Sequence, residues 1–158
     1  MRKKSKYRPR GVIPDTMTWV KAGLQKVGTL PKAGVALKLK NHEALDTVMH
    51  GEATRDHVDV LIAAFNIAEA LYRIRPDLGI DYADDIKLAQ DALYSMGKRG
   101  ASIGRFVFTG PEMQVIRFGM EIHDAQLDNC DVRTMEKALE LVNTVVMNKQ
   151  ARPIVETA

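Results

Sequence analysis

One cysteine among 158 residues leaves Cys130 without a partner inside the chain, so no internal disulfide can staple the fold. Such usage fits a reducing compartment. No apolar run approaches the ~18 residues of a membrane span. The charged N-terminus has no apolar stretch behind it, which argues against a secretory leader. Together these absences predict a cytoplasmic protein that neither spans nor docks on a membrane. Glu-x-x-His pairs, a Walker loop and a dinucleotide glycine pattern are missing from the chain. The expectation is a protein that is not an enzyme and holds no cofactor and no metal.

The first ten residues, MRKKSKYRPR, lack any acid and hold six of the 23 lysines and arginines. Without Arg2, Lys3, Lys4, Lys6, Arg8 and Arg10, the remaining 17 basic residues face 20 acidic ones, and the net charge falls from +3 to −3. The chain is therefore a mildly acidic body with a basic arm. Like charges repel, and Pro9, Gly11 and Pro14 interrupt any helix, so residues 1–13 read as a flexible arm. Lysines and arginines on such an arm release counterions from a polyanion, which gives affinity without sequence preference. Tyr7 sits within the run, where an aromatic ring can stack on an unpaired base.

Apolar content of 46% and this length suit a single globular domain, here residues 14–149, followed by a frayed tail over 150–158. Asp15 after Pro14 predicts a short helix over 15–27, ended by Gly28 and Pro31. Val35, Leu37 and Leu39 alternate with Ala36, Lys38 and Lys40, which suits a short strand or a helical turn equally. A brief helix over 42–50 follows. Val58, Leu61, Phe65, Ala68 and Tyr72 then recur at spacings of three and four, the mark of one helical stripe. Tyr82, Ile86, Ala89, Leu93 and Met96 repeat the pattern over 81–97. A third stripe, over 111–128, holds Met113, Ile116, Met120 and Leu127, behind Thr109 and Glu112 in capping-box register with Pro111 in the first turn. A fourth follows Asp131, with Val132, Met135, Leu139, Val142 and Val146. These spacings predict an all-α fold: an antiparallel bundle of four main helices plus short N-terminal ones. The glycine-rich link 97–110 contains Phe106, Val107 and Phe108, and predicts a minor two-stranded extended segment pairing with 35–39.

Several residues invite a chemical reading. Lys98, Arg99 and Arg105 form a second basic cluster that extends the arm's footprint. Gly97-Lys98-Arg99-Gly100 has the form of a KH-type GXXG loop, but a helix C-terminus with a glycine cap explains it without a ligand. A helix-turn-helix drawn around Gly51 would put Asp56 and Asp59 against phosphate, which counts against it. Asp81, Asp84 and Asp85 share the start of a helix, where the dipole favours acids without any metal. His123 falls on an apolar stripe, as a hydrogen-bonded core histidine does, and Cys130 has no histidine placed to activate it. Asn66, Glu69 and Arg73 form a polar strip beside the long stripe, read as a solvated face.

With the arm KKSKYRPRGV, the run LIAAFNIAEALYRIRP and the segment GRFVFTGPEM, the chain resembles small uncharacterised proteins of bacteriophages and prophages. That resemblance implies an accessory or regulatory factor and transfers no site. The leading expectation is a protein whose arm, with Lys98, Arg99 and Arg105, contacts nucleic acid or a nucleoprotein. The alternative is an inhibitor or adaptor docking on a host protein through Trp19, Phe106 or Phe108. A second apolar edge on the last helix, Leu141 and Val145, points to a homo-oligomer.

Overall fold

The computed structural model describes residues 24–27 and 33–150. The arm, Trp19, the helix expected over most of 15–27, and residues 151–158 lie outside the described residues. Five α-helices occur among the described residues: α1 (Ala33–Met49), α2 (Arg55–Ile74), α3 (Ala83–Ile103), α4 (Gly110–Asn129) and α5 (Val132–Met147). Two single 3-10 turns, Pro76–Leu78 and Ile80–Tyr82, join α2 to α3. The fold is all-α, and the four main helices are α2 to α5. None of the described helices is long and apolar enough to cross a membrane.

Helix α2 is the hub, packed against α1, α3, α4 and α5. Its stripe explains this, because Val58, Leu61, Phe65, Ala68 and Leu71 are all buried. Leu61 and Phe65 meet Ala89, Leu93 and Met96 of α3 and Ile116 and Met120 of α4 in the main core. Near the other end of α2, Ala70 and Leu71 join Leu127, Cys130, Met135 and Ala138. A fully buried leucine or phenylalanine contributes about 1.5–3 kcal/mol, so these shared stripes supply the driving force that no helix has alone. Two glycines make room for close packing, Gly119 between helices and Gly100 under the Phe106 ring of the α3–α4 link. A Cβ on Gly119 would stand 2.6 Å from Phe65 Cε1 and 2.9 Å from Ala89 Cβ, and one on Gly100 would stand 2.2 Å from Phe106 Cδ1.

The start of α4 follows its capping residues. The Thr109 backbone N–H donates to Glu112 Oε2 at 2.8 Å, and Pro111 sits in the first turn. Asp131 caps α5, accepting from the Thr134 backbone N–H at 2.7 Å.

Three expectations are corrected. Residues 35–39 form no strand: they belong to α1, one continuous helix that replaces the separate short helix over 42–50. Phe106 instead makes a single antiparallel bridge to Ala53, and no strand occurs among the described residues. Gly97 and Gly100 neither end a helix nor form a GXXG loop. Both are buried within α3, which runs to Ile103 and ends at Gly104, whose φ is 75°. On α5 the buried positions are Thr134, Met135 and Ala138, while Leu139 and Val146 of the expected stripe are exposed.

Candidate interaction surfaces

A groove of about 710 Å³ runs along the outer side of α2, between α3 and α5. Its apolar lining includes Ile62 from α2 and Leu141, Val142, Val145 and Val146 from α5. The polar strip Asn66, Glu69 and Arg73 lines the same groove, facing Lys87, Gln90 and Tyr94 of α3. Gln90 Nε2 donates to Glu69 Oε2 at 2.7 Å, and Glu69 is ion-paired to Arg73. The strip is therefore half enclosed, a polar network set into an apolar trough.

Five of the 13 basic residues in 33–150 are ion-paired to acids of the body. Arg99 reaches Glu112 with both arms of its guanidinium, at 2.6 and 3.1 Å, and donates to the Val107 carbonyl at 2.9 Å. Burial pushes the Glu112 carboxyl up, but the hydrogen bonds from Arg99 and Thr109 outweigh it and leave the group below its ordinary value. Arg75 pairs with Asp77 at 2.5 Å and reaches Asp131 at 3.8 Å. Lys38 pairs with Asp128, and Lys87 lies 3.4 Å from Asp91. Lys98 rests over the Tyr94 ring at 5.4 Å, and the Arg105 guanidinium lies against Gly51. Of the expected basic cluster, Lys98 and Arg105 are exposed, while Arg99 serves the α3–α4 junction.

The expected protein-docking anchors fare differently. Phe108 is buried in the main core and offers no surface. Phe106 is half-buried, with its ring packed on Gly100.

His123 is wholly buried. Gln126 Nε2 donates to the carbonyls of Ala68 and Leu78, at 3.0 and 2.7 Å, so Gln126 Oε1 is left to accept from His123 Nδ1–H at 3.3 Å. This fixes the neutral tautomer, and burial pulls the imidazole down to about 4. The Cys130 thiol is pushed up to about 11, first by burial and then by the Asp131 charge. A thiol held protonated is a poor nucleophile and a poor metal ligand. Among the described residues no group of three or more His, Cys, Asp and Glu side chains converges on a metal position. Asp84 and Asp85 lie in the first turn of α3, where they meet the positive end of the helix dipole.

The helix-turn-helix reading around Gly51 also loses its geometry. Helices α1 and α2 do follow one another there, but α2 is the hub of the core rather than a projecting reader. The groove itself is not legible as a groove in the sequence. Its signals are the polar strip of α2 and the second apolar edge of α5, which only packing brings to one trough. Compared with protein-family models, curated proteins and solved structures, the chain matches none.

Proposed function

We propose that this protein is a non-enzymatic accessory factor that contacts nucleic acid or a nucleoprotein through its basic N-terminal segment, with the helical body as carrier. Charge segregation carries this reading. Residues 1–32 contain nine basic residues and one acid, whereas residues 33–150 contain 13 basic against 18 acidic. Ion pairs of Arg73, Arg75, Lys38, Lys87 and Arg99 tie five of those 13 cations to acids of the body. Attraction for phosphate is thus concentrated in the N-terminal segment, with Lys98 and Arg105 as exposed supplements. The buried, neutral His123 and the protonated Cys130 thiol support a binding role over a chemical one. The resemblance to small phage and prophage proteins suits an accessory role.

The test is fluorescence anisotropy with labelled DNA and RNA, using the full chain and a version lacking residues 1–10. Deletion is expected to abolish binding. Lys98→Ala with Arg105→Ala is expected to weaken it by less, and Arg99→Ala to leave it unchanged. Undiminished binding after the deletion contradicts the proposal.

A further inference from the structure

A second cleft, of about 300 Å³, lies between α1 and α2 and reaches down to His123 of α4. Its walls are apolar: Leu37 comes from α1, and Val60, Ala64 and Ile67 come from one face of α2. Its depth is polar, because Asn41 of α1 and His123 also line it, at 3% and 0% exposure. Their next neighbours in the chain, His42 and Asp124, are hydrogen-bonded at 2.6 Å, which fixes α1 and α4 to each other at this level.

Both buried residues carry an unused hydrogen-bonding atom. Asn41 Nδ2 and His123 Nε2 have no partner among the described residues. Gln126 Oε1 accepts from His123 Nδ1–H, so Nε2 is left as an acceptor, while Asn41 Nδ2 is a donor. Buried polar atoms are seldom left this way, because losing water without gaining a partner is unfavourable.

We propose that this cleft binds a small neutral molecule with one hydroxyl group on an apolar body, of the alcohol or phenol class. The hydroxyl oxygen accepts from Asn41 Nδ2, its proton is donated to His123 Nε2, and the body lies against Leu37, Val60, Ala64 and Ile67. A hydroxyl is the smallest ligand group that serves one donor and one acceptor at once. Neutrality follows from the lining. The deep side chains are uncharged, and Lys40 and Asp59, which also line the cleft, are exposed and opposite in sign. The volume lies at the low end for small-molecule sites, and an apolar cavity of about 150 Å³ already admits benzene. The site makes no use of the N-terminal segment, so its test stands apart from that of polyanion binding.

Phenol and toluene are the probes, alike in size and differing in the hydroxyl. Titrated into the isotope-labelled full chain, phenol is expected to shift the nuclear magnetic resonance signals of the Asn41 side-chain amide and of His123 Nε2. Its dissociation constant should be near about 1 mM. Toluene should bind at least about tenfold more weakly, because it leaves both polar atoms unpaired. Asn41→Leu should weaken phenol at least about tenfold without weakening toluene. Ala63→Leu, at an exposed position of the cleft lining, should weaken both by filling the space. Thermal melts of the two variants, expected near the wild type, separate lost binding from lost folding. Phenol that leaves both signals in place overturns the proposal and assigns the two atoms to water. So does toluene that binds as tightly as phenol, or a phenol affinity that neither substitution reduces.

Discussion

Gly119 and His123 occupy successive turns of α4, and each tests the packing in a different way. A methyl group on Gly119 would overlap the Phe65 ring and the Ala89 side chain. Alanine's better helix propensity returns about 1 kcal/mol, less than the overpacking costs. Gly119→Ala should therefore destabilise by about 1–2 kcal/mol, lowering the melting temperature by about 5 °C in a thermal melt. For His123 the sign follows from burial. Its folded value, about 4, lies below the ordinary 6.5, so the unfolded chain takes up a proton that the folded one refuses. Its contribution is full above pH 6.5 and is lost as the pH falls from there to about 4, amounting to about 3 kcal/mol. Urea titrations across that window should show the decline, and His123→Gln should flatten it. The histidine's place was legible, because it falls between Met120 and Leu127 on an apolar stripe. Its tautomer was not, because Ala68 and Leu78 supply the carbonyls that orient Gln126 from distant parts of the chain.

Helices announced themselves wherever apolar residues were spaced by three and four, and were misjudged where the stripe used other residues. On α1 the buried or half-buried face is Gly34, Leu37, Asn41, Ala44, Leu45 and Val48. Glycine and asparagine hid its period, while Val35 and Leu39, which suggested a strand, are exposed. On α3, Gly97 and Gly100 looked like stops, because sequence does not tell a capping glycine from one that admits a ring such as Phe106. On α5 the expected stripe put Leu139 and Val146 inward, but the buried flank holds Met135 and Ala138 with Leu141 and Val142 packed beside them, and Leu139 and Val146 are exposed. The α3–α4 junction offers the sharpest test among the helix ends. Arg99 and Glu112 tie the last turns of α3 to the cap of α4 and to the Val107 carbonyl. Glu112→Ala should cost about 2 kcal/mol, since it removes charged hydrogen bonds and half of the capping box. Arg99→Ala should cost a similar amount. In chemical denaturation the double variant should lose clearly less than the sum of the two, because both single changes remove the same interaction.

Across the whole molecule, the all-α bundle was legible from periodicity alone, and so was the separation of charge. The body's internal ion pairs, which depend on residues up to 90 positions apart such as Lys38 and Asp128, were not. Under the proposed function, the N-terminal segment, with its nine basic residues and one acid, is the attractor of a polyanion. Six arm cations making about five phosphate contacts imply a steep salt dependence, since each contact contributes a slope of about −0.9. The measurement that tests this most directly is the DNA dissociation constant of the full chain across a salt series. A log–log slope of the association constant near −4 to −5, collapsing when residues 1–10 are removed, is the expected result. Absence of binding at low salt, or a slope unchanged by the truncation, would contradict it.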